Sequence, residues 1–257
     1  MIDNQSGYNR AEVADEYGEE SELTKPEKAI LELLKLHPAR QTMLDIGVGG
    51  GRTTRHFAPL FEWYAGIDYS RSMVEVCEKN FSSLANAQFF FGDARRMDEF
   101  KNDTFDFILF SFNGIDCVNA EDRNKILNEI KRLGRSSSLF CFSTHNIFNV
   151  PLLFSFQYPR NPFKYWWEYW RMKNVRKYNR NPQDLLSERI TTIIDGDLNF
   201  DAEYVYVQPA YQIEQLKELG FGDIRVFSHN TGAALHHVTD WSAVNDPWLY
   251  YLCTNKK

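Results

Sequence analysis

Residues 44–54 of the sequence read LDIGVGGGRTT. An apolar strand ends here at Asp45 and runs into Gly47, Gly49 and Gly51 before a stretch with helical character. Glycine lets the backbone turn sharply and lets a ligand approach where a Cβ atom would clash. The segment therefore predicts a strand, a ligand-binding turn and a helix, which together form the first unit of an α/β fold.

The spacing of these glycines disfavours two common nucleotide sites. A dinucleotide fingerprint, Gly-x-Gly-x-x-Gly, would need glycine at the position that Arg52 occupies. The sequence also has no Gly-x-x-x-x-Gly-Lys phosphate loop. A nicotinamide oxidoreductase is therefore a disfavoured alternative. That the segment is a glycine-rich turn with no ligand is a further alternative.

Similar apolar runs follow along the chain and end in Gly, Asp or Asn, with helical stretches after most of them. They are YAGIDY (64–69), FFFGD (89–93), FDFILFSFN (105–113) and SLFCFSTHN (138–146). Such strands predict a mostly parallel sheet covered on both faces. Apolar spacing predicts a further helix at residues 27–37, just after Pro26. The C-terminal part predicts a helix closed by Gly220 and then two strands.

Two carboxylates follow predicted strands in positions that suit a nucleoside. Asp68 ends the second strand, where it can accept hydrogen bonds from both hydroxyls of a ribose. A helix-capping role is the alternative for Asp68, although Ser70 is itself a plausible N-cap. Asp93 and Ala94 follow the third strand, where a carboxylate can accept a hydrogen bond from an exocyclic amine such as that of adenine.

In order and spacing, LDIGVGGG, GIDYS, FFFGDA and FDFILFSFNGID resemble the motifs of class I S-adenosylmethionine-dependent methyltransferases. The resemblance covers residues 40–145 and a helix and strand pair at the C-terminus. It implies an α/β, Rossmann-like fold whose seven-stranded, mostly parallel sheet carries helices on both faces and ends in an antiparallel strand. It also implies S-adenosylmethionine as cofactor, S-adenosylhomocysteine as product, and methyl transfer to an O, N or C atom of a small-molecule acceptor.

The resemblance places the cofactor at the carboxyl ends of the first strands. By this resemblance, Gly47 and Gly49 would lie beside the methionine portion of the cofactor. Asp68 would contact the ribose, and Asp93 and Ala94 would contact the adenine. The full set of predicted cofactor contacts is Tyr17, Asp45, Gly47, Gly49, Gly51, Arg52, Asp68, Tyr69, Met73, Asp93, Ala94, Ser111, Phe112 and Asn113. Met73 is alternatively a buried core residue, and Tyr8 and Tyr17, which resemble lid aromatics, alternatively pack on a surface helix.

His145 is the predicted catalytic residue. It ends the fifth strand beside the expected methyl position, and an acceptor hydroxyl or ammonium needs a base to remove its proton. A histidine that is simply hydrogen-bonded within a loop is the alternative. The adjacent pair His236 and His237 lacks a third ligand at suitable spacing, so no metal is predicted.

Residues 147–208 lose the strand and helix alternation and form a predicted acceptor-side insertion. Residues 151–180 contain seven basic residues and one acidic residue, a local charge of +6, interleaved with aromatic rings. Tyr158, Trp166 and Trp167 are the predicted acceptor contacts. The alternatives are aromatic packing onto the sheet and contact with a membrane surface or single-stranded nucleic acid. Asp195 and Gly196 predict a hairpin turn within the insertion.

The predicted organisation is an N-terminal lid and helix (1–40), a cofactor-binding core (41–146), the insertion (147–208) and a C-terminal helix and strands (209–257). The chain has a net charge of −6, so no stable nucleic-acid partner is expected. Its four cysteines form no Cys-x-x-Cys pair, and its N-terminus lacks a secretory pattern, so a cytoplasmic location is expected. The alternatives in function are a catalytically silent regulatory protein that binds the cofactor, and a methyltransferase for a lipid or quinone at a membrane surface.

Overall fold

The computed structural model describes residues 22–36 and 41–257. Tyr8 and Tyr17 lie outside the described residues. The helices are α1 (Lys25–Lys35), α2 (Thr54–Phe57), α3 (Arg71–Asn80), α4 (Ala120–Leu133), α5 (Val150–Leu153), α6 (Tyr165–Tyr178), α7 (Pro182–Ser187) and α8 (Pro209–Glu218). The strands are β1 (Thr42–Ile46), β2 (Trp63–Asp68), β3 (Ala87–Phe91), β4 (Phe105–Phe110), β5 (Gly134–Asn146), β6 (Ile190–Ile193), β7 (Tyr204–Val207), β8 (Phe221–Ser228) and β9 (Trp248–Asn255).

The strands form one sheet. The first five lie parallel in the order β3-β2-β1-β4-β5, and β9 runs antiparallel between β5 and β8. The predicted mostly parallel sheet with an antiparallel last strand is therefore confirmed. Over the described residues the sheet nevertheless has nine strands instead of seven, because β6 and β7 of residues 147–208 join it.

Strand β5 accommodates the additional hairpin because it is longer than its neighbours, with 13 residues. Its last pair with β4 joins Phe142 to Phe110, and the strand then continues to Asn146. In that extension His145 and Asn146 pair in parallel with β7. The hairpin is thereby attached to the carboxyl end of β5.

Helix α1 overlaps the predicted helix of residues 27–37 but begins two residues earlier, at Lys25. The Thr24 side chain accepts a hydrogen bond from the backbone of Glu27, and the Glu27 carboxylate accepts one from the backbone of Thr24, which makes a capping box. Pro26 lies in the first turn, where its missing N–H costs nothing. The apolar face of α1 packs on one side of the sheet together with Phe57 and Tyr64.

The predicted hairpin around Asp195 and Gly196 is present, but its strands are joined by ten residues rather than by a two-residue turn. The connection includes a short 3-10 turn at Asp197–Phe200. Phe200 is 9% exposed and contacts the rings of Trp170 and Tyr178, which fixes the longer path. None of the helices in the described part of the chain is long and apolar enough to cross a membrane.

Candidate cofactor and active site

A cavity of about 580 Å³ opens at the carboxyl ends of β1, β2, β3 and β4. This volume is in the range of small-molecule sites. The lining residues are Asp45, Ile46, Gly47, Val48, Gly49, Gly50, Arg52, Thr53, Ile67, Asp68, Tyr69, Met73, Phe91, Gly92, Asp93, Ala94, Arg95, Phe110, Ser111, Phe112, Gly114, Cys117, Val118 and Ile126.

Most of the predicted cofactor contacts line this cavity. They are Asp45, Gly47, Gly49, Arg52, Asp68, Tyr69, Met73, Asp93, Ala94, Ser111 and Phe112. Gly51 and Asn113 do not line it. Sequence reasoning missed Gly50, Arg95 and the apolar residues that follow β4. Gly50 belongs to the glycine run itself, and Arg95 comes directly after the predicted contact Ala94. Their closeness to these motifs in the sequence could have identified both as cavity residues.

Gly49 and Gly51 serve different purposes in the turn after β1. Gly49 has a φ of +55°, a left-handed conformation that favours glycine, and its N–H points at the Asp68 carboxylate. Gly51 also has a positive φ, but a Cβ atom there would collide with the ring of Phe81. Gly51 therefore allows close packing of the turn against Phe81 at the end of α3, and it does not line the cavity.

The Asp68 carboxylate holds the glycine turn in place. Oδ2 accepts a hydrogen bond from the N–H of Gly49 at 2.9 Å, and Oδ1 accepts one from the N–H of Ser70 at 2.8 Å. The side chain of Ser70, not that of Asp68, caps α3. Burial raises the pKa of Asp68 although these backbone donors favour the charged form. A carboxylate has about four lone-pair sites, so Asp68 retains acceptor capacity toward the cavity.

Asp45 lies deeper and is tied to the protein. Its Oδ2 accepts hydrogen bonds from Thr53 Oγ1 at 2.5 Å and from the Tyr64 hydroxyl at 2.6 Å. Burial raises the pKa of Asp45 to about 6, even though these two hydroxyl donors favour its ionised form. Through Thr53, the Asp45 carboxylate thus positions the start of α2, and it also forms part of the cavity wall.

The Asp93 carboxylate is already hydrogen-bonded to Arg95. Arg95 Nε lies 3.0 Å and 2.9 Å from the two carboxylate oxygens of Asp93, and Arg95 Nη1 also contacts Asp122 at 2.9 Å. Burial opposes ionisation of Asp93, but the hydrogen bonds from Arg95 outweigh it and lower the pKa of Asp93. A ligand amine would therefore share this carboxylate with Arg95.

A buried ion pair joins α1 to the glycine turn. Arg52 Nη1 lies 2.6 Å from Glu27 Oε2, and Arg52 Nη2 lies 2.7 Å from Glu27 Oε1. Ser111 and Tyr250 also donate hydrogen bonds to the Glu27 carboxylate. Burial disfavours the charge of Glu27, but the Arg52 guanidinium, the Ser111 hydroxyl and the Thr24 N–H hold the pKa of that carboxyl below its ordinary value. Arg52 is thus anchored by Glu27 while one edge of it lines the cavity.

The turn after β4 has a strained backbone, and its side chains Phe112 and Asn113 point in different directions. Phe112 and Asn113 have φ values of +55° and +61°, which are uncommon for residues with a side chain. The Phe112 ring lies under the Arg52 guanidinium, 5.0 Å from its centroid, and lines the cavity. Asn113 turns away from the cavity, and its amide nitrogen lies 3.3 Å from His145 Nε2.

His145 belongs to a buried polar network beside the cavity. Its Nδ1 lies 2.9 Å from Asp116 Oδ2, and an ionised carboxylate can only accept, so Nδ1 carries the proton. In the neutral ring Nε2 is then the basic atom, held by Asn113. Asp116 is fully buried and also contacts Arg123 at 3.4 Å. His145 does not line the cavity itself, but Gly114 and Cys117, on either side of Asp116 in the chain, do.

The predicted acceptor contacts Tyr158, Trp166 and Trp167 are 81%, 76% and 54% exposed, and none of them lines the cavity. The structure therefore does not place them as predicted. For Trp166 and Trp167 the reason is that α6, which carries them, buries only a narrow stripe, with Glu168 and Val175 as its buried residues. Among the described residues, no group of three or more His, Cys, Asp or Glu side chains is arranged to hold a metal ion.

Comparison with known proteins shows what part of this chain is similar to. Residues 43–136 match a family model described as a methyltransferase domain. The chain is 28% identical over 120 residues to an uncharacterised methyltransferase of Bacillus subtilis, covering 46% of each protein. It is 33% identical over 123 residues to an uncharacterised protein of Methanocaldococcus jannaschii, covering 48% of this chain and 53% of that protein. The chain thus spans about half the length of these curated relatives.

Solved structures agree with this match at the level of the fold. An S-adenosylmethionine-dependent methyltransferase from Clostridium acetobutylicum has a TM-score of 0.60 and 15% identity, covering 91% of this chain and 92% of that one. A protein from Pyrococcus horikoshii has a TM-score of 0.56 and 20% identity, covering 90% and 91%. Residues 43–136 are thus similar to methyltransferase domains, and the two solved structures share the fold of the chain.

Proposed function

We propose that this chain transfers a methyl group from S-adenosylmethionine to an O, N or C atom of a small-molecule acceptor. The observation that supports the proposal most is the convergence of the glycine turn, Asp68 and Asp93 on one cavity at the carboxyl ends of adjacent parallel strands. Open α/β sheets bind their ligands at this edge. Residues 41–146 would bind the cofactor, with residues 209–257 completing the sheet and residues 147–208 on the acceptor side.

The cavity residues fit the parts of S-adenosylmethionine. Gly47 and Gly49 offer backbone without a Cβ atom for the methionine portion, and Asp68 keeps acceptor capacity for the ribose hydroxyls. Asp93 and Ala94 would face the adenine amine, and Met73, which is 2% exposed, lines the wall where the base would lie. Ser111 and Phe112 would flank the bound cofactor.

The bound cofactor supplies a sulfonium methyl group that is already activated. The protein has then chiefly to align an acceptor and exclude water. His145 is the candidate base, because Asp116 fixes its Nδ1 proton and leaves Nε2 to accept a proton. An acceptor hydroxyl or ammonium would take the place of the Asn113 amide, whose 3.3 Å contact with Nε2 is long.

The central test is cofactor binding. Isothermal titration calorimetry of the full chain should give micromolar dissociation constants for both S-adenosylmethionine and S-adenosylhomocysteine. NADH serves as the control, because position 52 lacks the glycine of a dinucleotide fingerprint. Absence of binding to both sulfur ligands by folded protein would overturn the proposal. Tight binding without transfer to any acceptor would instead favour a regulatory protein that binds the cofactor.

Replacement of His145 by glutamine should lower methyl transfer about a hundredfold, since a positioned base contributes at least that much to proton removal. Transfer of radiolabel from S-adenosylmethionine into a low-molecular-weight extract of the source organism measures the rate. The exposed His236 provides the matched control, and His236→Gln should leave the rate unchanged. Cofactor affinity should be unaffected in both variants. An unchanged rate in His145→Gln would show that His145 has a structural role only.

A further inference from the structure

One surface of the described chain exposes far more apolar side chain than the rest. Among residues 22–36 and 41–257, twelve large hydrophobic side chains are exposed, and nine of them lie between residues 152 and 178. These nine are Leu152, Tyr158, Phe163, Tyr165, Trp166, Trp167, Tyr169, Trp170 and Tyr178. Clustered exposure of this kind marks an interaction surface, whereas scattered single residues do not.

Helix α6 forms the centre of this surface. Glu168 and Val175 are its buried residues, and they lie seven positions apart on one face. The opposite face carries Trp166, Trp170, Lys173 and Lys177, which follow one another at spacings of four, three and four residues. One edge of the Trp170 ring also contacts Phe200, and the side chain stays 40% exposed. Phe163, in the turn before the helix, is 95% exposed. Aromatic rings therefore dominate the first half of the outward face and lysines the second.

The cations of this surface divide into two sets. Arg171 is bound by Glu168 at 2.7 Å, and Arg180 is bound by Glu188 at 2.6 Å. Lys173 and Lys177, in contrast, have no carboxylate within 4.0 Å in the part of the chain that the structure describes, and each lies over a tyrosine ring. The outward face of α6 thus presents positive charge that the described part of the protein does not neutralise.

We propose that the α6 surface, comprising Phe163, Trp166, Trp170, Lys173 and Lys177, docks on an anionic lipid bilayer. Tryptophan and tyrosine have apolar rings with a polar edge and settle at the headgroup level, and lysines there attract anionic phosphate. Residues 151–180 carry +6 although the whole chain carries −6, so an anionic surface attracts this face and repels the remainder. The exposed helix face is convex, whereas single-stranded nucleic acid binds in grooves.

Vesicle flotation with the full chain tests this surface. Vesicles of phosphatidylcholine mixed with phosphatidylglycerol should carry the protein upward, and rising salt should reduce the bound fraction. Lys173→Gln and Lys177→Gln together should weaken binding roughly 25-fold, at about fivefold for each lysine. Trp166→Ala should weaken binding about tenfold through lost apolar burial. Lys101→Gln and Lys217→Gln together form the charge-matched control, because both lysines are exposed elsewhere.

The outcomes of this experiment are separable from those for the proposed function. Cofactor affinity in solution should be the same in all of these variants, because none of the changed residues lines the cavity. Failure of the wild-type protein to float with anionic vesicles would overturn the docking proposal. So would equal losses in the control variant, or a concentration-dependent dimer that Trp166→Ala dissolves, since a second copy of the chain would then cover this surface.

Discussion

Replacement of Arg52 by methionine is expected to lower the free energy of unfolding by about 3–5 kcal/mol, because it leaves the buried Glu27 carboxylate without its cation. Methionine keeps much of the apolar stem of arginine, so the loss reports the charge more than the volume. Glu27 is fully buried, and Ser111 and Tyr250 can donate hydrogen bonds to it but cannot neutralise it. Urea denaturation followed by circular dichroism measures the effect.

Arg96 provides the matched control for this substitution. Its ion pair with Asp98 leaves both side chains largely exposed, at 80% and 65%. Exposed pairs contribute little, so Arg96→Met should shift the urea midpoint only slightly. The double variant Glu27→Gln with Arg52→Met should recover part of the lost stability, because it removes the uncompensated charge. Equal midpoints for Arg52→Met and Arg96→Met would contradict a stabilising role of the buried pair.

Asp68→Ala is expected to weaken S-adenosylmethionine binding by about 2–4 kcal/mol, or roughly 30- to 1000-fold in the dissociation constant. The change removes a charged acceptor for the ribose, and it also removes the carboxylate that holds the N–H of Gly49 at 2.9 Å. Calorimetric titration of the cofactor measures the loss.

Asp68→Asn distinguishes the two contributions of this carboxylate. Asparagine keeps one oxygen acceptor and the shape of the side chain but loses the charge, so its affinity should lie between those of wild type and alanine. Asp98→Ala, an exposed carboxylate away from the cavity, should leave affinity unchanged. If Asp68→Ala remains folded and binds the cofactor as tightly as wild type, the only role of Asp68 is to hydrogen-bond the backbone of the glycine turn.

Much of the cavity could be predicted from the sequence because parallel strands bring their carboxyl ends to one edge. Asp45, Asp68 and Asp93 each follow or end an apolar run, so strand order alone places them together. The function of Gly51 could not be predicted in this way. A missing Cβ atom serves both ligand approach and close packing, and only the position of Phe81 on the neighbouring segment distinguishes the two.

Contacts between segments distant in sequence were also beyond prediction. The motif Thr24-x-x-Glu27 indicates a helix cap, and Glu27 does take part in that cap, but nothing local shows that the same carboxylate binds Arg52, 25 residues away. The insertion illustrates the same limit. A dense run of aromatic rings has the same composition whether the rings line a pocket or face outward, and the narrow buried stripe of α6 decides between them.

The inserted hairpin is attached to β5 at His145, the candidate base, so this residue connects the hairpin to the central sheet. The backbone of His145 is paired with Trp248 in one direction and with Tyr206 in the other, and its ring stacks on Tyr206 at a centroid distance of 4.7 Å. The hairpin is therefore linked to the imidazole both by one of its two backbone pairs with β5 and by the stacked Tyr206 ring. A shift of residues 147–208 is therefore expected to reorient Nε2 first, because the glycine turn follows β1, which β4 and β5 separate from the hairpin in the sheet.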